Sequence, residues 1–385
     1  MSVLKRFEER ELESGFRYKV PIYDSTSVID LVEYTALDYF YKQPGQHALI
    51  LGAQYGSGKT TLLLWFMGYH FYENREICVY RAKLSTFEFL NILDEAPIRL
   101  FIPYGGVFNY DHPDLEKAYF NFWEVGEVID SLARDKINVV GTDMFVWGDD
   151  ELLEPYRIKA VWWGKFLANL LIWKADKMRL KLGVYIDELS DLVPNRGEQL
   201  CAEHGKYGNQ IMDAIDAYRR NRIRLVAVTH TLTELKRTFR NQFSAWFIKR
   251  TSTETVPSEY WNYDGVIKRL ANWQVFVKDR TGNFNRRPSP VWVDTKNVGV
   301  KVEVTDELLD EYRRATISAG KGAMRWRERT LLLLRLMERM GVPMDYKKVG
   351  GILDLSKSYS HEILSQAREL PEETLNRALS AVLEQ

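Results

Sequence analysis

The segment 50–66, with the sequence ILGAQYGSGKTTLLLWF, constrains the fold of this chain more than any other segment. An apolar strand enters it from residue 47, glycines follow at positions 56 and 58, and an apolar helix begins near Gly58. Such a loop points backbone N–H groups inward and has a helix N-terminus behind it, an arrangement that binds phosphate. The spacing therefore predicts that a nucleotide's phosphates bind between a buried strand and a helix.

The loop residues have distinct expected roles in holding a nucleoside triphosphate. Gly56 and Gly58 allow backbone angles that other residues avoid, which lets the chain approach the phosphates. Lys59 is expected to reach the β- and γ-phosphates, and Thr60 to ligate Mg²⁺. Ala53 stands where the first glycine of the motif usually lies. We expect ATP and Mg²⁺ as cofactors. The predicted nucleotide-binding residues are Ala53, Gln54, Tyr55, Gly56, Ser57, Gly58, Lys59, Thr60 and Thr61.

An acidic pair follows a second buried strand, in the segment 184–193, VYIDELSDLV. Asp187 is expected to hold Mg²⁺ through water, and Glu188 to orient and deprotonate the attacking water. The adjacent glutamate favours ATP hydrolysis by an additional-strand ATPase over phosphoryl transfer to a small acceptor. A helix N-cap after a strand is the structural alternative for this pair.

A third apolar strand, 225–230, ends in two polar residues, Thr229 and His230. A polar residue at the tip of such a strand can contact the γ-phosphate and respond to hydrolysis. His230 is our candidate for that catalytic role, and an ordinary surface histidine is the alternative.

Apolar strands and helical segments alternate from about residue 47 to residue 250, which predicts a mainly parallel sheet covered on both faces. After a glycine-rich segment near residue 320 the pattern becomes helical. The predicted strands are 47–53, 76–82, 98–104, 137–146, 183–189, 223–230, 273–279 and 290–295, and the main predicted helices are 155–180 and 206–222. The predicted organisation is an N-terminal arm (1–45), a P-loop ATPase domain (46–296, with an insertion at about 84–180), a linker (297–324) and a helical domain (325–385).

Composition limits the binding partners and the cellular compartment that can be expected. Lys and Arg total 53 and so do Asp and Glu, so net charge alone indicates no polyanionic partner, although local basic patches can still exist. The two cysteines lie far apart and favour a reducing compartment over a disulfide framework. The N-terminus is charged, and the longest apolar run contains a lysine. We therefore expect a cytoplasmic protein without direct membrane insertion.

From residue 45 to about 295 the order of these motifs resembles the HerA/FtsK superfamily of ring-forming DNA motors. The resemblance rests on the acidic pair followed by 191-DLVP-194, the helix ending in 218-YRRNRIR-224, the strand 225–230, and the segment 231-TLTELKRTFRNQFSAWFIKRTS-252. It implies a RecA-like P-loop ATPase core of α/β class, a homo-oligomer that is expected to be a hexameric ring, and duplex DNA as the substrate. His230 stands where that family usually has glutamine, so a sensor role does not transfer directly.

In such rings an arginine of one subunit reaches the phosphates held by its neighbour and stabilises the charge of the transition state. Arg240 and Arg250 are the leading candidates that the resemblance implies. The next candidates are Arg219, Arg220 and Arg222. A solvated surface arginine is the alternative for each of them.

Two clusters of basic residues suggest contacts to a phosphate backbone that do not read bases. A solvated face with arginines at subunit contacts is the alternative. The first cluster, in segment 216–250, contains Arg219, Arg220, Arg222, Arg224, Lys236, Arg237, Arg240, Lys249 and Arg250. The second surrounds a predicted loop, 280–288, and contains Lys278, Arg280, Arg286 and Arg287.

The segment 345–370 has the spacing of a short helix, a tight turn and a second helix. It resembles the helix-turn-helix or winged-helix modules that end many DNA-associated ATPases. The second helix is expected to present Lys357, Ser358 and His361 to a DNA groove, with Leu364 and Ala367 on its buried side. A helical bundle that docks a protein partner is the alternative.

Two functions of different classes fit these features. The first is an ATP-hydrolysing motor that moves duplex DNA, in packaging, conjugation, partitioning or repair. The second is a STAND-type or AAA-type regulatory switch, which also joins a P-loop domain to a C-terminal winged helix and turns over slowly. A small-molecule kinase fits less well, because it has no use for Glu188 or the helical module.

Overall fold

A computed structural model describes the following parts of the 385-residue chain. These are residues 7–11, 17–21, 45–53, 56–82, 87–93, 95–145, 153–175, 177, 179–193, 202–230, 232, 235, 237–252, 256–278, 284–289, 300–305 and 308, with 334, 335, 345, 364, 365, 367 and 368. The chain forms two compact units, Met1–Leu308 and Leu309–Gln385. The first unit contains the phosphate loop and every strand of the described residues.

The centre of this unit is a ten-stranded sheet with the order β13-β12-β11-β3-β10-β9-β4-β8-β5-β7. Eight neighbouring strands, from β11 to β7, run parallel, whereas β12 and β13 are antiparallel. The strands are β3 (His47–Leu51), β4 (Ile77–Arg81), β5 (Ile98–Pro103), β7 (Leu115–Phe120), β8 (Ile137–Val140), β9 (Leu182–Ile186), β10 (Ile223–Thr229), β11 (Ala245–Ile248), β12 (Gln274–Lys278) and β13 (Phe284–Pro288). The predicted, mainly parallel α/β core is confirmed.

Two antiparallel strand pairs lie outside the main sheet. They are β1 (Phe7–Glu11) with β2 (Arg17–Pro21), and β6 (Gly106–Asn109) with β14 (Lys301–Val304). The α-helices of the described residues are α1 (Lys59–Asn74), α2 (Val125–Asp130), α3 (Thr142–Phe145), α4 (Leu153–Ala175), α5 (Ala202–Arg220), α6 (Arg237–Arg240) and α7 (Asp264–Ile267). Short 3-10 helices span Glu88–Ile92, Leu189–Asp191 and Ser258–Tyr263.

Helices α1 and α5 cover opposite faces of the sheet. His70 on α1 is hydrogen-bonded to the hydroxyl of Tyr185 in β9, whereas His47 in β3 is hydrogen-bonded to the carbonyl of Ile215 on α5. His47 lies in register with Leu225, and Tyr185 with the next residue of β10, so the two side chains point to opposite faces. Strands β3 and β10 are buried on both faces and are apolar apart from His47, Arg224 and Thr229.

Strand β10 lies between β3 and β9, which gives the strand order of an additional-strand ATPase. Because the strands are parallel, the loops that follow β3, β9 and β10 meet at the same edge of the sheet. The RecA-like core is therefore present. Strands β5, β7 and β8 come from the predicted insertion and extend the same sheet.

Several predicted elements differ from the observed ones. The strand predicted over 137–146 ends at Val140, and helix α3 begins at Thr142. The predicted loop 280–288 is in part strand β13, which pairs along its length with β12. Its Phe-Asn-Arg-Arg-Pro sequence has weak strand propensity, so tertiary pairing at a sheet edge decides its conformation. The strand predicted over 290–295 lies outside the described residues.

Within the helices of the described residues, none has the length and apolar character needed to cross a membrane.

Candidate nucleotide-binding site

The phosphate loop follows β3 and ends where α1 begins at Lys59. Gly56 and Gly58 have φ values of 63° and 78°, in the left-handed region that glycine adopts without a steric penalty. The hydroxyl of Ser57 donates a hydrogen bond across the loop to the carbonyl of Ala53, over 3.1 Å. Positions 54 and 55 lie outside the described residues. The loop thus turns back on itself at the N-terminus of a 16-residue helix.

The two glycines have different surroundings. A Cβ atom on Gly58 would lie 2.6 Å from the carbonyl oxygen of Asn272, whereas one on Gly56 would meet nothing within 4 Å. Gly58 is therefore packed against the protein, and Gly56 adjoins the open space that a ligand needs.

Lys59 is almost completely buried, with 6% of its surface exposed. Its ammonium donates hydrogen bonds to the Ala53 carbonyl and, over 3.3 Å, to the Ser57 hydroxyl. The lysine thus spans the loop and uses the loop's own oxygens as acceptors. Phosphate oxygens are stronger acceptors of the same kind, so a bound polyphosphate can replace these bonds.

Thr60 and Asp187 meet directly. The Thr60 hydroxyl donates to the Asp187 carboxylate over 3.2 Å, and Asp187 follows β9 and is 4% exposed. Hydroxyl and carboxylate oxygens are the hard ligands that Mg²⁺ prefers. Within the described residues no group of three or more His, Cys, Asp or Glu side chains is placed to hold a metal. The pair fits Mg²⁺, which usually takes only one or two protein ligands together with phosphate and water.

Glu188 is buried beside the tip of the neighbouring strand. Its carboxylate lies 2.6 Å from Nε2 of His230, and it accepts a hydrogen bond from the Ser190 hydroxyl over 2.6 Å. The backbone of Glu188 has a φ of 57°. For a residue with a side chain this conformation costs about 1–2 kcal/mol, and such strain occurs mainly at functional sites. The acidic residue and the candidate sensor are thus in contact.

A buried arginine holds the backbone of the turn that carries Asp187 and Glu188 through hydrogen bonds. Arg81, the last residue of β4, donates to the carbonyls of Asp187 over 3.1 Å and Glu188 over 2.8 Å. It also donates through Nε to Asp143 over 2.8 Å, and Asp143 accepts from the indole of Trp163 over 2.7 Å. Burial disfavours the charged guanidinium, but the combined effect of Asp143, Asp191 and Asp187 outweighs burial, so the pKa of Arg81 is raised. The sequence analysis missed this network, because its members are separated by tens of residues.

A third carboxyl group, that of Glu88, interacts electrostatically with Asp187 and Lys59 of this site. Burial, followed by the negative charge of Asp187, raises the pKa of Glu88 to about 7, and Lys59 opposes the shift. Glu88 begins a 3-10 helix shortly after β4. Its only sequence signal is an acidic residue soon after a buried strand, which was not recognised.

The candidate arginines lie in different environments. Arg250 is exposed, and its carbonyl accepts a hydrogen bond from the N–H of Ala53 over 2.8 Å, which places it beside its own phosphate loop. Arg240 donates to the Leu235 carbonyl over 2.8 Å. Of the other candidates, Arg219 is exposed and donates to the carbonyl of Gln242, Arg220 pairs with Asp216 at 3.4 Å, and Arg222 is exposed.

Two members of the first basic cluster do not face solvent, which corrects the prediction for them. Arg224 is fully buried and forms an ion pair with Glu76 at 2.8 Å. Lys249 is also fully buried, behind the phosphate loop. Charge along the sequence did not reveal this burial, because the partners lie far away in the chain.

The second basic cluster lies on the antiparallel edge of the sheet. Arg286 is exposed on the edge strand β13, Arg287 belongs to the same strand, and Lys278 ends β12 opposite Phe284. Arg280 lies outside the described residues. So do Lys357, Ser358 and His361 of the C-terminal unit. In that unit Leu364 and Ala367 are helical and buried, whereas Ser365 and Arg368 are helical and exposed.

A phosphate loop after β3, an acidic pair after β9 and a strand between them define the fold as that of a P-loop NTPase with a RecA-like core. No protein-family model matches the chain, and no curated protein sequence matches it.

Solved structures with the same type of fold show weak likeness. The genome packaging NTPase B204 from Sulfolobus turreted icosahedral virus 2, in complex with ATP-gammaS, is 11% identical over 64% of this chain and 98% of that chain, with a TM-score of 0.39. The flagellar accessory protein FlaH from Methanocaldococcus jannaschii is 13% identical over 69% and 92%, with a TM-score of 0.31. A DnaB-like replicative helicase is 12% identical over 66% and 56%, with a TM-score of 0.34. At these values the matches carry no functional detail.

Proposed function

We propose that this protein is an ATP-hydrolysing motor that acts on duplex DNA as an oligomeric ring. The observation that carries the ATPase part is the meeting of three groups at the carboxyl ends of β3, β9 and β10. These groups are Lys59 in the phosphate loop, the Thr60–Asp187 pair and the Glu188–His230 pair. Each supplies one requirement of phosphoryl transfer to water.

Binding begins in the phosphate loop. The ammonium of Lys59 exchanges the Ala53 carbonyl for the β- and γ-phosphate oxygens, and the N-terminus of α1 adds N–H donors. Thr60 and Asp187 would hold Mg²⁺, which would neutralise negative charge on the phosphates. These contacts fix the triphosphate before any bond changes.

Hydrolysis then depends on Glu188. Its carboxylate orients a water molecule whose oxygen bonds to the γ-phosphorus while the bond from that phosphorus to the bridging oxygen breaks. The water proton passes to the carboxylate. His230 contacts the same carboxylate, so it is placed to respond when Glu188 changes partners. Arg81 holds the two carbonyls of the acidic turn and keeps Glu188 in position.

The DNA and ring parts of the proposal rest on different support. The order of motifs resembles that of ring-forming DNA motors. Exposed Arg286 on the sheet edge suits a phosphate backbone. Arg250 is exposed but lies beside its own phosphate loop, so its proposed role toward a neighbouring subunit's nucleotide rests on the resemblance. A hexameric ring in the cytoplasm, with Arg240 or Arg250 acting between subunits, is the form we propose. Lys278, Arg280, Arg286 and Arg287, with the C-terminal Lys357, Ser358 and His361, are the proposed DNA contacts.

One observation favours a nucleotide-dependent switch as the second candidate. The Glu188 carboxylate is engaged by both His230 and Ser190 at 2.6 Å. A glutamate that is slow to leave these partners would give tight nucleotide binding with little turnover. In that case the C-terminal unit would dock DNA or a protein partner in response to the bound nucleotide.

ATP turnover by the purified full-length protein, with and without long duplex DNA, separates the two candidates. The motor predicts DNA-stimulated turnover that is lost in Lys59→Ala and Glu188→Gln, with nucleotide binding retained in Glu188→Gln. Glu73→Gln, an exposed glutamate on α1, is the matched control and should behave as wild type. Slow turnover that does not respond to DNA would overturn the motor and support the switch.

A further inference from the structure

Lys249 lies where the sheet meets the phosphate loop. It directly follows β11, and its N–H donates to the carbonyl of Leu51, the last residue of β3, over 2.7 Å. The carbonyl of the next residue, Arg250, accepts from the N–H of Ala53 over 2.8 Å. The backbone at Lys249 therefore continues the pairing of β11 with β3 along the start of the phosphate loop.

The side chain of Lys249 runs behind that loop. A Cβ atom on Gly52 would lie 2.8 Å from the Lys249 Cβ, and one on Gly58 would lie 3.3 Å from its Nζ. The fully buried ammonium donates to the carbonyl of Asn272 over 2.6 Å and to the hydroxyl of Ser289 over 2.9 Å. Asn272 precedes β12 and Ser289 follows β13, so one side chain joins the loop to both strands at the open end of this hairpin.

The charge of Lys249 is poorly compensated in the nucleotide-free protein. Burial, followed by repulsion from Lys59 on α1, lowers the pKa of Lys249 to about 7. Within the described residues the β12–β13 segment presents neutral groups to it, the Asn272 carbonyl and the Ser289 hydroxyl. Its neighbour Arg250 is exposed. An anion in the loop would supply the negative charge that this site lacks.

We propose that Lys249 is a positioning residue of the phosphate loop, which carries a full charge when a polyphosphate is bound and ties the loop to the β12–β13 hairpin. This proposal rests on the proposed function only in taking the loop as a nucleotide site. It gives the hairpin, which carries the second basic cluster, a physical connection to nucleotide occupancy. The sequence analysis had assigned this lysine to a DNA-facing group.

The sign of the expected pH effect follows from the charge balance. A bound polyphosphate stabilises the charged form, so Lys249 takes up a proton when nucleotide binds at a pH near or above 7. Affinity therefore falls as the pH rises from 7 to 8.5, by roughly 15-fold if the bound lysine stays charged over this range. A side chain at position 249 that is neutral, or that stays charged at every pH, removes this part of the pH dependence of nucleotide affinity.

The test measures binding of Mg²⁺–ATPγS to the full-length protein by calorimetry, in two buffers of different ionisation heat, at pH 7.0, 7.75 and 8.5. Wild type should take up a fraction of a proton, up to about one half at pH 7. Lys249→Met and Lys249→Arg should each take up less, because the first is neutral and the second stays charged. Lys268→Met, which removes an exposed lysine that directly follows α7 and pairs with Asp264, is the matched control and should resemble wild type.

Hydrogen exchange of the β12 amides provides the second readout. Nucleotide should slow exchange at Val275–Val277 in wild type and much less in Lys249→Met. Thermal unfolding checks that each variant folds, and Lys249→Arg carries the calorimetric test if Lys249→Met does not fold. Equal proton uptake in wild type and the folded variants would overturn the proposal while leaving nucleotide binding intact. Absence of nucleotide binding by wild type would overturn the proposed function itself.

Discussion

Buried arginine–carboxylate pairs lie at both ends of the central strands, but the charged groups of the nucleotide site have partners of another kind. At the amino ends, Arg224 of β10 donates through Nε to both carboxylate oxygens of Glu76, over 3.1 and 3.0 Å. At the carboxyl ends, Lys59 and Glu188 are held by a backbone carbonyl, hydroxyls and a histidine. The first kind of pairing is permanent, and the second can be exchanged for a ligand.

The buried titratable groups described here at the amino ends of the strands are either neutral or ion-paired. Burial keeps the pKa of His70 well below its usual value and raises the pKa of Tyr185, and the two side chains share a hydrogen bond of 2.7 Å. Cys78, which is also buried, has a raised thiol pKa. These groups carry no charge near neutral pH, so this end of the sheet contributes to stability rather than to chemistry.

The charge at the carboxyl end is incompletely compensated, because Lys249 lies close to a second lysine. Left-handed backbones occur at both ends, in Glu188 at the carboxyl end and in Arg222 just before β10, so backbone strain does not distinguish the two ends. The comparison teaches that the same strands separate the two tasks along their length. Four measurements can test that separation.

The largest effect is expected from Arg224→Met. It leaves the Glu76 carboxylate buried without its partner, so the free energy of unfolding should fall by about 3–5 kcal/mol in urea denaturation. Nucleotide affinity of the folded fraction should not change. The double variant Glu76→Leu/Arg224→Met removes both charges and should recover most of the loss. Equal losses in the single and double variants would show that the pair does not act as proposed.

The next effect is on the pH dependence of stability. Burial lowers the pKa of His47 to about 4, against about 6.5 in the unfolded chain. The unfolded chain therefore binds a proton that the folded protein does not, and stability falls as the pH drops from 6.5 to 4, by roughly 3 kcal/mol for this group. Urea denaturation across that range measures the slope.

The variant His47→Asn should flatten this slope, leaving the contribution of His70. His112→Asn, at a partly exposed position, should keep the slope of wild type. An unchanged slope in His47→Asn would contradict the assignment.

The third effect compares the two loop glycines. Gly58→Ala combines a left-handed backbone with a contact of 2.6 Å to the Asn272 carbonyl, so the dissociation constant for ATPγS should rise by at least about 100-fold. Gly56→Ala has the backbone strain alone, and about tenfold is expected. Equilibrium binding measures both. Similar values for the two variants would mean that packing against Asn272 does not shape the loop.

The smallest effect is expected from Arg222→Gly. Arg222 has a φ of 57° in the exposed turn between α5 and β10, so glycine should raise the free energy of unfolding by about 1 kcal/mol. Turnover should stay unchanged if the residue lies outside the site. Lower turnover in the assembled protein, with normal turnover in Arg220→Gln as a control, would instead make Arg222 an intersubunit arginine.

Local sequence was sufficient for the phosphate loop and for the parallel core. The GSGKTT segment, the apolar run that ends at Asp187 and the apolar strand that ends at Thr229 each carry their own signal, and parallel strands bring their carboxyl ends together. Strands β6 and β7 were not predicted. Their buried residues are few and are separated by residues that are exposed or half-buried, including Val107 and Tyr119, so neither segment is a continuous buried run.

The buried ion pairs and hydrogen bonds could not be predicted, because the interacting residues lie far apart in the sequence. Nothing near Arg224 indicates Glu76, and nothing near Arg81 indicates Asp143, although burial of each arginine depends on that acid. The same reasoning applies to Lys249, whose acceptors lie in a later hairpin. The sequence shows that a residue is basic, but only the fold shows whether it is buried and which groups it contacts.

The position of β3 also has a consequence for synthesis of the protein on the ribosome. Both neighbours of β3 come from much later in the chain, since His47 pairs with Leu225 and Ala48 also pairs with Ala245. At ordinary rates of translation the nascent strand waits roughly 10–40 s for them, with its edges open to other chains. A ribosome that stalls before β10 would release a polypeptide with the complete GSGKTT sequence and no formed site. The strand order that forms the nucleotide site therefore also leaves an unpaired strand during synthesis, which chaperones would need to cover.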